Sequence, residues 1–288
     1  MSKTFLELGI LAELVERLSE IQITIPTKVQ EKSIPLILNN TKDVVVLAKT
    51  GTGKTAAFGL PLLQLIDAKS TKIQALILAP TRELGQQIYT NLVSFSSESQ
   101  QTTITSICGG VPIKPQIERL KETTHIVVAT PGRLIDLVKR DAINIKDIKY
   151  FILDEADEMV SALKEEVDEI IKEIPKSRRT LLFTATMPGT IKQLVQNYMS
   201  KHVVHIEADM ETSGHEGIEH QYVVVEPIEK LNVKKDSSLM LALAMQRRGI
   251  ECFIFFEQDF SIHNQGTQKL TVHSFKGELK ADSIYMES

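Results

Sequence analysis

Ala48-Lys49-Thr50-Gly51-Thr52-Gly53-Lys54-Thr55 is the stretch on which the reading of this 288-residue chain turns. It fits the pattern A/G-x-x-x-x-G-K-S/T and follows directly on the apolar run Val44-Val45-Val46-Leu47. Such a run reads as a buried strand, and Ala56-Ala57-Phe58 beyond the loop suits a helix. A glycine-containing turn between strand and helix points consecutive backbone N–H groups at an anion, and the helix start adds partial positive charge. The pattern therefore predicts a nucleoside triphosphate site built from Thr50, Gly51, Thr52, Gly53, Lys54 and Thr55. In it Lys54 reaches the β- and γ-phosphates and the Thr55 hydroxyl ligates Mg²⁺. The same residues taken alone also describe an ordinary Gly/Thr-rich turn.

A second element supports the first. Asp154-Glu155-Ala156-Asp157 ends another apolar run, Tyr150-Phe151-Ile152-Leu153. Phosphoryl transfer to water requires a held metal and a group that orients the nucleophile. Asp154 is the metal-side carboxylate in this reading, and Glu155 positions and activates the attacking water. An acidic start to a solvated helix is the plainer account of the same four residues.

Composition bounds the rest. With 42% apolar and 24% charged residues the chain has an ordinary core for one large domain and part of another. No run approaches the roughly 18 apolar residues of a membrane span, and Met1-Ser2-Lys3-Thr4 does not open a signal peptide, so the cytoplasm is the expected compartment. Cys108 and Cys252 lie far apart, which excludes a disulfide framework. A net charge of −4 confines nucleic-acid contact to a local strip.

Short apolar runs recur at Val44 to Leu47, Ala75 to Ala79, Ile104 to Cys108, Ile126 to Ala129, Phe151 to Leu153, Thr180 to Phe183 and Val203 to Ile206, with helix-compatible segments between them. That alternation predicts an α/β domain, a mostly parallel sheet between helix layers with active residues at the carboxyl ends of strands. Polar or glycine-containing motifs follow the runs immediately. The stretch Asp209 to Gly217 reads as a linker. Ile218 to Glu226 and Cys252 to Phe256 read as strands around a helix at Ser237 to Arg247, the start of a second, incomplete α/β unit.

Taken together these pieces resemble the DEAD-box ATP-dependent RNA helicases, with residues 1–208 similar to the first RecA-like, ATP-binding domain, 209–217 a linker and 218–288 part of a second such domain. The resemblance implies ATP and Mg²⁺ as ligands, RNA as partner, no membrane, and hydrolysis coupled to local duplex separation. Pro26-Thr27-Lys28-Val29-Gln30 resembles the adenine-recognising Q motif, with Gln30 as the reading amide. Phe5 matches an upstream aromatic, and Ile23 stands where the family carries an aromatic against the base. N-capping of a helix is the alternative for this segment.

Pro80, Thr81 and Arg82 resemble motif Ia, Gly109 and Gly110 the GG element, and Thr130, Pro131, Gly132 and Arg133 motif Ib. In the family these hold the sugar–phosphate backbone of single-stranded RNA, which suits hydroxyls, N–H groups and arginines and gives sequence-independent binding. Ion pairs of Arg82 with Glu83 or Arg133 with Asp136 are the structural alternative. Thr184-Ala185-Thr186 takes the place of Ser-Ala-Thr, which couples the nucleotide site to strand separation through Asp157. Neither Arg-Gly-x-Asp nor His-Arg-x-Gly-Arg occurs in these residues. The chain alone is therefore expected to hydrolyse ATP slowly and to lack unwinding, the rival being a catalytically weak ATP- and RNA-binding module. The last thirty or so residues read as the remains of a truncated or interrupted domain.

Overall fold

The computed structural model describes residues 3–97 and 101–208, and within 252–286 the backbone of short strands. Seven strands make one sheet in the first unit: β1 (Val44–Leu47), β2 (Ala75–Leu78), β3 (Ile104–Ile107), β4 (Ile126–Ala129), β5 (Tyr150–Leu153), β6 (Arg179–Thr184) and β7 (Val204–Glu207). Their order is β3-β4-β2-β5-β6-β1-β7 and every pairing is parallel. Each apolar run of the sequence is one of these strands.

Strands with both faces covered are apolar at every position, and here alternate residues feed two cores. Val44 and Val46, Ala75 and Ile77, Ile126 and Val128, and Leu181 and Phe183 join one cluster with α1 (Ala12–Glu20), α2 (Lys28–Asn39), α3 (Lys54–Leu65) and α4 (Arg82–Phe95). Val45, Leu76, Leu78, Val127, Phe151, Leu153 and Leu182 join the other with α6 (Pro131–Lys139), α7 (Ala156–Ala162), α8 (Lys164–Glu173) and α9 (Gly189–Tyr198). The short α5 (Lys114–Arg119) packs Ile117 on this second cluster. Phe58 of α3 meets Phe183 of β6 with ring centroids 5.1 Å apart, a tilted contact that seats the helix following the glycine loop.

Strand order places the functional motifs. The ends of β5, β6 and β1 lie side by side, as do those of β3, β4 and β2, and β2 pairs with β5 at the border. Ala48 N–H donates to the Thr184 carbonyl at 3.0 Å and Asp154 N–H to the Leu78 carbonyl at 3.1 Å, so the hydrogen-bond ladder continues into the loops at this edge.

The chain divides into units Met1–Gly214 and His215–Ser288. The linker, the Ile218–Glu226 strand and the Ser237–Arg247 helix expected from sequence lie outside the described residues. In the second unit Cys252–Ile254 pairs with His273–Phe275, Phe260–Ser261 with Lys269–Leu270, and Gly277–Lys280 with Ser283–Met286, all antiparallel.

Candidate functional site

At the end of β1 the chain turns through Gly51 and Gly53, both left-handed at φ 82° and 90°, and Gly53 caps α3. A Cβ on Gly51 would meet nothing within 4 Å, so glycine is there for conformation alone. On Gly53 it would lie 2.5 Å from Gln30 Nε2, so that position needs glycine for space as well. Thr52 Oγ1 donates to the Lys49 carbonyl at 2.8 Å and closes the loop. Lys54 opens α3 with only 6% of its surface exposed, and Thr55 follows, half-buried.

Across the loop from the end of β5 comes Glu155, left-handed at φ 50° and ψ 52° as the residue before α7. A non-glycine residue held there carries backbone strain of the kind found at functional sites. Its Oε1 accepts from Thr50 Oγ1 at 3.1 Å and lies 3.5 Å from Lys54 Nζ. Asp154 is 2% exposed and accepts Glu155 N–H at 3.0 Å. Burial pushes its carboxyl up to about 6, with Glu155 and Asp157 adding repulsion and Lys54 opposing. A buried carboxylate so poorly compensated suits a bound cation.

Asp157 Oδ2 accepts the Thr186 N–H at 2.9 Å and its hydroxyl at 2.6 Å, and Thr184 Oγ1 donates to the Thr186 carbonyl at 2.8 Å. Partial burial works to raise the Asp157 carboxyl, but hydrogen bonds from Thr186 and Thr184 outweigh it and hold it below its ordinary value. Ala185 is half-buried between the two threonines. Loop Thr184–Thr186 is thereby fastened to the acidic tetrad.

Two further residues expected near the nucleotide lie against the apolar core. Phe5 lies in the core at 1% exposure, in the same apolar cluster as Val29 of α2. Ile23 is half-buried against that cluster, where it follows the end of α1. Gln30 is 4% exposed with both amide atoms bonded: Oε1 accepts Thr27 N–H at 2.9 Å, and Nε2 donates to the Gly53 carbonyl at 3.0 Å. The amide thus caps α2 and touches the phosphate loop together.

On the neighbouring territory Thr81 Oγ1 accepts Leu84 N–H at 3.2 Å and starts α4, just past the half-buried Pro80. Arg82 Nη1 donates to the Gly110 carbonyl at 3.2 Å. Gly109 N–H donates to Thr130 Oγ1 at 3.1 Å. Pro131 fills the first turn of α6 and Gly132 beside it is exposed. Arg133 Nη2 donates to the Val111 carbonyl at 2.8 Å, while Asp136 is taken by Arg140 at 2.6 Å. The two arginines therefore hold the Gly109–Val111 loop. Gln116, which binds Arg133 Nη1 at 2.8 Å, is a member of this cluster that sequence reading missed.

A parallel sheet with a glycine phosphate loop after one strand and an acidic tetrad after another defines a P-loop domain of RecA-like fold. The model of the DEAD/DEAH box helicase family matches residues 27–194, and the chain belongs to that family. It is 43% identical over 229 residues to the DEAD-box ATP-dependent RNA helicase CshA of Streptococcus pneumoniae, covering 79% of this chain and 43% of that protein. It is 42% identical over 201 residues to the RNA helicase CrhR of Synechocystis, covering 69% and 40%. The chain spans less than half the length of these two relatives. Among solved structures, a DEAD box protein from the hyperthermophile Methanococcus jannaschii aligns with a TM-score of 0.69 at 39% identity, covering 73% of this chain and 57% of that one. Residues 220–286 match a different model, the N-terminal domain of prokaryotic glutathione synthetase.

Proposed function

We propose that residues 1–208 are the ATP- and RNA-binding first half of an ATP-dependent RNA helicase. The observation that carries this reading is the adjacency of three motifs on neighbouring strands: the phosphate loop on β1, Thr184–Thr186 on β6 and Asp154–Asp157 on β5. Lys54 binds the β- and γ-phosphates, and nucleotide displaces Glu155 from Lys54 and Thr50. Freed, the Glu155 carboxylate orients a water and accepts its proton. Asp154 and the Thr55 hydroxyl would hold Mg²⁺, a role that fits the buried, poorly compensated carboxylate. The bound ion would neutralise charge on the phosphates undergoing transfer.

Gln30 senses adenine from a position already bonded to the phosphate loop. The Pro80–Arg82, Gly109–Gly110 and Thr130–Arg133 face holds RNA phosphates without reading bases. Asp157 with Thr184–Thr186 ties the two territories together. Binding of a fluorescent ATP analogue with Mg²⁺ tests the nucleotide reading: Lys54→Ala abolishes it, and Gln30→Ala weakens adenine but not guanine nucleotides. Equal affinity in wild type and Lys54→Ala would remove the assignment.

Residues 1–288 contain neither arginine-bearing element of a second helicase domain. An arginine finger supplies about 10³ to 10⁵ in rate in related hydrolases, so turnover by this chain alone is slow. The rival reading, a weakly catalytic binding module, predicts no stimulation of ATP hydrolysis at saturating RNA. No helix among the described residues is long and apolar enough to cross a membrane.

For residues 218–288, a partial second RecA-like domain competes with a glutathione-synthetase-like segment. The family match over 220–286 supports the second. Deletion of residues 215–288 separates them. A segment that completes the nucleotide cleft lowers ATP affinity when removed, and an unrelated one does not.

A further inference from the structure

We propose that Gln116 is a positioning residue for phosphate recognition, holding the Arg133 guanidinium and the Gly109–Val111 loop in one fixed arrangement. The inference rests on the RNA-binding role proposed for this face.

Gln116 sits on α5, just beyond that loop, and its amide works in two directions. Nε2 donates to the Cys108 carbonyl at the end of β3 at 3.0 Å, and Oε1 accepts Arg133 Nη1 at 2.8 Å. The second terminal nitrogen of the same guanidinium donates to the Val111 carbonyl at 2.8 Å. Two bonds to two different nitrogens fix the plane of Arg133 as well as its reach. A guanidinium has five N–H donors, more than these two bonds use. The loop between them is held from the other flank by Arg82 Nη1 on the Gly110 carbonyl and by Thr130 Oγ1 on Gly109 N–H. Gly110 is left-handed at φ 77°, and a Cβ there would come within 3.1 Å of Arg82 Nη1, so the fit around the loop is close.

The choice of a neutral amide has a chemical reason. A carboxylate at the same place would pair with Arg133 and cancel the charge that a phosphate needs, whereas an amide orients the guanidinium and leaves its charge intact. Ordering the arginine beforehand lowers the conformational cost of binding. Gln116 need not touch RNA to do this.

The test is fluorescence anisotropy of a labelled twelve-nucleotide oligouridylate with the 288-residue chain, titrated over a range of NaCl at constant pH. Melting temperature serves as the check on folding. Gln116→Met, which keeps the volume and loses both hydrogen bonds, is expected to weaken binding about 3- to 10-fold with an unchanged salt slope. Gln116→Glu is expected to weaken it further and to reduce the slope of log K against log salt by roughly 0.7, the signature of one lost phosphate contact on a single strand. Arg133→Gln should give the same slope loss, and Gln116→Glu added to Arg133→Gln should give no further loss. Wild-type slope and affinity in both Gln116 variants, or a Gln116→Glu effect that adds in full to Arg133→Gln, overturns the proposal. Failure of the wild-type chain to bind the oligonucleotide even at low salt overturns the RNA reading beneath it.

Discussion

Lys54 Nζ and Glu155 Oε1 stand 3.5 Å apart with side chains 5% and 19% exposed, so the ammonium proposed to grip a phosphate is already facing a carboxylate. Thr50 holds the same oxygen at 3.1 Å. The arrangement makes ATP binding an exchange of one anion for another at Lys54. Glu155→Gln removes the competing charge and the water-orienting base together. ATP is expected to bind at least as tightly as to wild type, and hydrolysis to slow by roughly 10² or more. Analogue binding measured beside phosphate release checks both halves, and wild-type turnover in the variant would exclude Glu155 from the reaction.

Asp154 links the site to stability. Its carboxyl rises from 3.8 to about 6 in the folded chain, chiefly through burial. The folded state thus holds this proton more tightly than the unfolded one. The stability linked to it is fully present below 3.8 and is lost as pH rises through about 6. The full cost at neutral pH is about 3 kcal/mol. Asp154→Asn is expected to melt higher than wild type at pH 7.5 without nucleotide or metal, with the gap closing toward pH 4. Thermal unfolding of the two proteins across that range decides it, and a gap that does not vary with pH would refute the account.

Asp157 behaves in the opposite sense, because the Thr186 and Thr184 bonds outweigh its partial burial and depress its titration. Its contribution is present above the unfolded value of 3.8 and fades as pH falls through the folded one. Thr186→Val removes the hydroxyl bond of 2.6 Å and leaves the backbone bond of 2.9 Å. The Asp157 carboxyl should then titrate closer to its ordinary range, and stability at neutral pH should fall by about 1 kcal/mol, a figure kept low for a group this exposed. Carbon-detected NMR titration of the carboxyl reads the first effect and urea unfolding the second.

Strands such as Val44–Leu47 and Ile126–Ala129 are legible in sequence because a doubly covered strand is apolar at each position. The loop motifs are legible because glycine and charge at fixed offsets have few other uses. Asp43 and Arg179 show what is not. Asp43 accepts the backbone N–H groups of Thr180 and Ser200 at 2.6 Å each, and Arg179 donates to the carbonyls of Leu36, Ile37 and Lys42 at the end of α2. Both are buried polar residues whose partners lie well over a hundred positions away, beyond any local pattern. Gln116 is hidden for a different reason: Arg133 is only 17 positions away, but their bond depends on how α5 and α6 meet the sheet edge. Phe5 illustrates the converse. Its aromatic character is plain in the sequence, but only the fold shows that no face of the ring is accessible.

The placement of Ile23 has a local cause that yields a last prediction. At the end of α1, Ile23 N–H donates to the Leu18 carbonyl at 2.8 Å and Gln22 N–H to the Ser19 carbonyl at 3.1 Å. This pair of bonds closes a helix with a left-handed residue at Gln22, φ 62°, and brings the next apolar side chain back toward the helix. Ile23 is turned to the core by that geometry, beside the fully buried Leu18. Glycine is the residue such a turn prefers, since a side chain in the left-handed region costs about 1–2 kcal/mol and glycine's extra chain entropy returns only about half of that. Gln22→Gly is therefore expected to stabilise the domain by about 0.5–1 kcal/mol, whereas Gln22→Val should destabilise it by at least as much. Urea unfolding of the three proteins followed by circular dichroism measures the order, and a glycine variant less stable than wild type would refute the strained-cap account of this turn.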